Sequence, residues 1–147
     1  MRNESEACTI LKNSFVDLGA FAYKIPDPST DYASTIERPF DMIAVYDTIP
    51  YYIEVKYLSS IKSFNLNVIK DHQIDNLLKI KTLMFDAACW IVLAVNAGRG
   101  DKRFYIFKNI EEIVQRRLDK RNYFKKELES LDYLPVHKDR IDIKNSL

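Results

Sequence analysis

Three residues in the first half of the chain have the types and spacing for hydrolytic chemistry. Asp41 is followed by twelve residues and then by Glu54-Val55-Lys56. Asp41 falls near the start of the run FDMIAVY (40–46), and Glu54 and Lys56 fall two apart in YYIEVKY (51–57). Both runs are rich in β-branched and aromatic residues and read as strands. Side chains alternate along a strand, so Glu54 and Lys56 share a face. The four residues Asp47-Thr48-Ile49-Pro50 suit a hairpin connection, which sets the start of the first strand opposite the end of the second. Asp41 can then approach Glu54 and Lys56. Two carboxylates held together repel each other unless a cation lies between them, and Mg²⁺ (or Mn²⁺) is suited to oxygen ligands. Such an ion polarises a phosphodiester oxygen and acidifies a bound water. A lysine beside it can position that water or stabilise charge developing on the phosphate.

Glu-x-Lys is also common as a solvated pair on an exposed strand. The flanking residues argue against that here. Glu54 sits among Tyr51, Tyr52, Ile53, Val55 and Tyr57, and Asp41 among Phe40, Met42 and Ile43. Charges in such apolar strands are costly unless they are paired or bound to metal.

The elements that must position these residues follow from periodicity and turn signals. Residues 4–18 read as a helix with Ala7, Cys8, Leu11, Phe15 and Leu18 at helical spacing and Gly19 as its stop. Residues 20–25 read as a strand, and the polar, proline-bearing stretch 26–38 as an exposed loop. A helix is expected at about 67–84. CWIVLAV (89–95) reads as a buried central strand, 96–101 as a loop and RFYIF (103–107) as a further strand. Helices are expected at about 109–119 and 122–131, and the tail around Arg140 as a short edge strand or an extended segment. The order α-β-β-β-α-β-β-α predicts an α/β (α+β) fold, a mixed sheet flanked by helices.

The chain has 147 residues and is 47% hydrophobic, enough for one domain (1–147) with one substantial core. The two cysteines, Cys8 and Cys89, lie far apart without CxxC spacing, which gives a zinc ribbon no support and fits a reducing, cytoplasmic setting. No apolar run is long enough to span a membrane, and the first residues do not read as a signal peptide. The net charge of +1 predicts no partner by itself. Its distribution is more informative. Residues 1–98 carry nine Lys and Arg against twelve Asp and Glu, and residues 99–126 carry ten against four. That basic block is either a solvated face or a surface that attracts phosphate towards an acidic centre.

The stretch RPFDMIAVYDTIPYYIEVKYLSS (38–60) resembles the catalytic hairpin of the PD-(D/E)xK nucleases, with Phe40 where the family name has proline. The order of elements over roughly residues 4–107 resembles that family's core. Within it the chain looks most like Holliday-junction resolvases of the RecU and archaeal Hjc kind, phage relatives included. The segment SFNLNVIKDHQIDNLL (63–78) is similar to the RecU stretch that leads to a His-Gln pair, here His72-Gln73. The resemblance implies Asp41, Glu54 and the Val55 carbonyl as metal ligands, Lys56 as the catalytic lysine and Gln73 reaching the site from its helix. Many members add a glutamate from the first helix. Glu4 lies on the apolar stripe of that helix and is preferred to Glu6, although a solvated N-terminal glutamate is the competing reading. The implied partners are branched DNA, a four-way junction, and a second copy of the chain in a homodimer. A restriction or repair nuclease of the same fold and a DNA-binding module without catalysis are the rival readings.

Arg38, Lys62, Lys70, Lys102, Arg103, Arg116 and Arg117 are the candidate phosphate contacts. His72 reads either as a general base or as a hydrogen-bonding boundary residue. Cys89 reads as core packing. Phe104, Tyr105, Phe107, Tyr123 and Phe124 are more large groups than the last third of a small monomer covers easily, which is consistent with a dimer.

Overall fold

A computed structural model describes residues 1–26 and 37–147. Helix α1 (Glu4–Asp17) starts at Asn3, whose side chain accepts the Glu6 amide at 2.8 Å, and carries Glu4 and Glu6 in its first turn, where the helix dipole favours negative charge. Gly19, at φ +80°, lets the chain turn out of the helix into β1 (Phe21–Lys24). Strands β2 (Met42–Tyr46) and β3 (Ile49–Leu58) follow, then α2 (Asp71–Leu83), β4 (Ala88–Gly98), β5 (Asp101–Phe107), α3 (Ile110–Leu118), α4 (Lys125–Ser130) and the short β6 (Leu134–Pro135). Together the strands form one six-stranded sheet in the order β1-β2-β3-β4-β5-β6. Every neighbouring pair is antiparallel except β3 and β4, which run parallel with α2 as the crossover. The expected mixed sheet flanked by helices is present.

Alternation along β3 divides the molecule. Tyr51, Ile53 and Val55 face α1 and join Met42, Ala44, Trp90, Val92 and Phe104 in one apolar layer. Cys89, Ile91, Leu93, Val95 and Tyr105 face the other way and pack with Leu66, Ile74 and Leu77 and with Ile110 and Ile113 of α3. Glu54 and Lys56 are the charged residues of β3 on that second face. With side chains buried on both faces, β4 is the continuous apolar strand expected of a sheet centre.

Several local expectations are corrected. The β2–β3 connection is not four residues long. Asp47 (φ 49°) and Thr48 (φ 68°) form a two-residue turn with both φ positive, the twist that matches a tight hairpin, and Ile49-Pro50 already belong to β3. The turn lacks the usual glycine, which hid it. The predicted loop 96–101 shrinks to Arg99-Gly100, because β4 runs on to Gly98 past a register shift. The helix expected at 67–84 begins at Asp71, after a 3₁₀ turn at Leu66–Val68. The helix expected at 122–131 begins at Lys125, since Tyr123 instead exchanges backbone bonds with Phe64. The tail near Arg140 is not an edge strand. Ile141 and Ile143 pack on the α1 layer, the Ile141 amide donates to the Ser14 hydroxyl at 3.0 Å, and the pairing with β5 is made by Leu134–Pro135.

Most of the large groups named for the last third are covered by the chain itself. Phe104, Tyr105 and Tyr123 are buried within the one chain, leaving Phe124 as the strongly exposed member of that set. Other exposed apolar groups are Leu118 and Tyr133 in the last third, Phe21, Tyr23 and Val45 on β1 and β2, and Leu83, Met84 and Phe85 after α2. No helix among the described residues is long and apolar enough to cross a membrane.

The hairpin turn yields a stability prediction. A β-branched residue at positive φ is strained, whereas glycine is not. Thr48→Gly is expected to raise stability by about 1 kcal/mol, a strain cost of about 2 kcal/mol less about 1 kcal/mol for the entropy of glycine. An unchanged or lower urea midpoint would remove the strain from the account.

Candidate metal centre

Asp41 stands where β2 and β3 begin to part. Its backbone is still tied to both neighbours, its amide donating to the Ile53 carbonyl at 3.0 Å and its carbonyl accepting the Ile25 amide at 2.8 Å. Beyond it no β2 carbonyl meets the Val55 amide, and the Asp41 carboxylate takes that place, accepting it through Oδ2 at 2.7 Å. Oδ1 meets the Arg38 guanidinium at 3.1 Å. The aspartate is thus held by a backbone donor and a cation while almost fully buried.

Glu54 is entirely buried. Its Oε1 accepts from the Lys56 ammonium at 2.7 Å and from the Gln73 amide at 2.5 Å. Gln73 is fixed in turn, because its own carbonyl oxygen accepts the Lys70 amide at 2.9 Å in the first turn of α2. That bond leaves the amide nitrogen to face Glu54. The other glutamate oxygen, Oε2, is buried with no hydrogen-bond partner. A bare carboxylate oxygen in the interior is costly. Burial first, and the Asp41 charge second, push the Glu54 carboxyl up to about 8, against the opposing pull of Lys56.

Glu4, the first residue of α1, brings a third carboxylate. Ligand atoms of Glu4, Asp41 and Glu54 lie within 4.8 Å of one another. Oxygens on opposite sides of one magnesium ion stand about 4.2 Å apart, given bonds of about 2.1 Å, so the spread is of the right order. Three hard oxygen donors, one with an unsatisfied oxygen, fit a divalent cation. Lys56 lies 4.0 Å from Glu4 as well as against Glu54. Glu6 is turned away, accepting the Arg2 amide at 2.6 Å and pairing with the N-terminal ammonium at 3.2 Å. Of the two first-helix glutamates, Glu4 therefore joins the cluster.

The remaining candidates scatter. Lys62 lines a cavity of about 310 Å³ together with Glu4 and Lys56. Lys70 precedes α2. Lys102 and Arg103 are on β5, where Arg103 is held by Asp101 at 2.6 Å and stacks over Tyr133. Arg116 pairs with Glu127 and Glu112 and lies over Tyr123 at 3.8 Å. Arg117 meets Asp71, at the start of α2, at 2.6 Å. The three candidate arginines of the basic block, Arg103, Arg116 and Arg117, are thus already matched with carboxylates. His72 places Nε2 3.2 Å from the Arg38 carbonyl and Nδ1 3.2 Å from Glu37, so it ties the chain entering β2 to α2. This is the boundary role. Cys8 and Cys89 are both buried, and desolvation raises their thiols to about 12 and about 11, which suits packing and not nucleophilic attack. The loop expected at 26–38 lies, from 27 to 36, outside the described residues.

Sequence reading missed Lys24. It closes β1 opposite Met42, next to Asp41, and lines a cavity of about 220 Å³ with Glu4, Arg38 and Asp41. The reasoning that placed Asp41 opposite Glu54 would have found it, had β1 been paired antiparallel with β2.

No family model matches the chain, and neither does any curated protein. Among solved structures the chain is similar to Archaeoglobus fulgidus Hjc, a Holliday junction resolvase from an archaeal hyperthermophile. The identity is 17% and the TM-score 0.40, over 62% of this chain and 66% of that one. The chain spans just under two thirds of that protein's length.

Burial of Glu54 predicts a pH dependence of stability. The carboxyl ionises near 4.5 when unfolded and near 8 when folded, so the folded state binds the extra proton between those values. Metal-free protein is therefore expected to be most stable below about pH 4.5 with respect to this group and to lose that contribution as pH rises to 8. Glu54→Gln should flatten that part of the profile, and Mg²⁺ should raise the melting temperature more at pH 8 than at pH 5. A wild-type profile matching that of Glu54→Gln across this window would contradict the assignment.

Proposed function

We propose that the chain is a metal-dependent DNA endonuclease of the PD-(D/E)xK type that resolves four-way junctions. The observation that carries the metal-dependent hydrolase reading is the convergence of Asp41, Glu54, Lys56 and Glu4 around a buried glutamate oxygen with no partner. The resemblance of the hairpin and of the His72-Gln73 segment to resolvases supports the choice of substrate.

In this reading Glu4, Asp41, Glu54 and the Val55 carbonyl hold Mg²⁺ or Mn²⁺. When bound, the ion supplies Lewis-acid polarisation of the phosphodiester and a more acidic water. The protein's own groups do the rest. Gln73 fixes the Glu54 carboxylate so that one oxygen stays available. The Val55 amide and Arg38 fix Asp41. Lys56 Nζ, already in reach of both glutamates, steadies the attacking water or the charge that develops on the phosphate. Arg38, Lys62, Lys70 and Lys102 contact the sugar–phosphate backbone. Arg103, Arg116 and Arg117 join them to the extent that phosphate competes with their present carboxylate partners.

A synthetic four-way junction assayed beside matched linear duplex, with and without Mg²⁺, tests the whole reading. Asp41→Asn and Glu54→Ala are expected to abolish cleavage while keeping the circular dichroism spectrum and much of the DNA affinity, since metal and phosphate are held by different groups. Cleavage surviving in both variants would remove the site assignment. Equal cutting of duplex and junction would favour a restriction or repair nuclease.

Paired cuts across a junction call for two copies related by a two-fold axis. Phe21, Tyr23 and Val45 on one sheet edge, and Leu83, Met84 and Phe85 after α2, are exposed apolar groups available for such a homodimer to cover. Light scattering at micromolar concentration is expected to give twice the 17.2 kDa chain mass. A monomer both free and on junction DNA would count against the resolvase reading.

A further inference from the structure

We propose that the cavity bounded by Lys24 and Arg38 holds the phosphate next to the scissile one, and that Lys24 thereby sets how a nucleic-acid strand enters the metal centre. The inference rests on the nuclease reading above and deepens it. It begins from the shape of the site. Glu4 lines two separate cavities, one shared with Lys24, Arg38 and Asp41 and the other with Lys56 and Lys62. The carboxylate cluster therefore lies between two recesses, each with two basic residues in its wall, and a strand whose scissile phosphate sits at the cluster must place its neighbouring phosphates towards them.

The first recess has the size and charge for a single phosphate. Its volume of about 220 Å³ is that of about seven waters at about 30 Å³ each. This is smaller than the ~300–1,000 Å³ typical of pockets that enclose a whole small ligand. A phosphate and part of its hydration shell fit. Lys24 directs its ammonium to the Ser5 hydroxyl and to the Ser5 carbonyl at 3.4 Å. No described carboxylate forms an ion pair with it. An ammonium has three donors, so one remains for a ligand.

The charge balance also favours an anion once metal is bound. Glu4, Asp41 and Glu54 contribute three negative charges when ionised, and Lys24, Arg38 and Lys56 three positive. Among these described groups a divalent ion leaves an excess of two positive charges, which one or two phosphates would neutralise. The competing role for Lys24 is a purely structural tether between β1 and the first turn of α1.

Lys24→Gln separates these roles, because the amide can still donate to Ser5 but carries no charge. The substrate is the DNA that the wild-type protein cuts, prepared as a set of strands each with one neutral methylphosphonate near the cut. Neutralising one flanking phosphate is expected to slow the wild-type protein about tenfold, the scale of one charge-assisted contact. Lys24→Gln should be about tenfold slower on unmodified DNA and lose nothing more from the methylphosphonate at that position, while losses at other positions add. Additive losses at every position would overturn the proposal and leave Lys24 a tether. If the wild-type protein cuts no DNA, the nuclease reading fails, and calorimetry with inorganic phosphate on the Mg²⁺-loaded protein tests the recess alone. Binding weakened at least tenfold by Lys24→Gln, with an unchanged circular dichroism spectrum, sustains a phosphate site there. Equal binding, or none, overturns it.

Discussion

The structure turns on one unsatisfied atom. Glu54 is buried in the middle of a strand whose neighbours along the chain are aromatic and aliphatic, and one of its carboxylate oxygens has no donor. Interiors seldom tolerate this. A proton or a cation can relieve it, and the surroundings are arranged for the second. Lys56 and Gln73 engage only the opposite oxygen. Asp41 and Glu4 stand close enough to share an ion with it, although their nearness makes the charged form of Glu54 still less favourable without one. An arrangement selected for stability alone would put another donor, or an apolar residue of similar volume, at position 54. The conflict between stability and this carboxylate is the kind expected where a fold carries function.

Much of this was legible before the fold was known, for reasons that are local. Asp41, Glu54 and Lys56 could be read because strand alternation is strictly two-fold and a hairpin reverses direction, so their convergence needs only neighbouring segments. Apolar flanks gave the same residues their burial. The continuous run at Cys89–Val95 announced the sheet centre by the same logic. What stayed hidden depends on contacts distant in sequence or on unusual backbone. Lys24 belongs with Asp41 only through the pairing of β1 with β2 across a polar stretch that does not declare it. The Asp47-Thr48 turn has no glycine to mark its two positive φ angles. Gln73 had no intrinsic signal and rested on resemblance, since a glutamine on an amphipathic helix looks like any other polar position.

The basic block shows how charge counts mislead when partners are unknown. Ten cationic residues within 99–126 look like an open anion-attracting face. In the fold Arg116 is matched by Glu127 and Glu112, and Arg117 by Asp71 at the start of α2. Such pairs hold α3 against α2 and against the segment that follows, with Tyr123 as a platform beneath Arg116. The cations nearest the carboxylate cluster, Lys24, Arg38, Lys56 and Lys62, come instead from the first half of the chain, whose charge sum is negative.

The single parallel pair in an otherwise antiparallel sheet also orders events in time. The β2–β3 hairpin closes over two residues, and such hairpins form in about 1–10 μs. Strand β4 cannot join β3 until the intervening chain has wound α2 and brought it back, a slower and entropically more demanding closure. Until that step Glu54 is still in water, without Gln73 against it and without the low-dielectric surroundings that make its bare oxygen costly. The hairpin can thus carry both carboxylates through early folding at little cost. Their demand for a counter-ion arises only as the crossover docks, so the closure that completes the sheet centre is also the step that leaves the carboxylates in need of a cation.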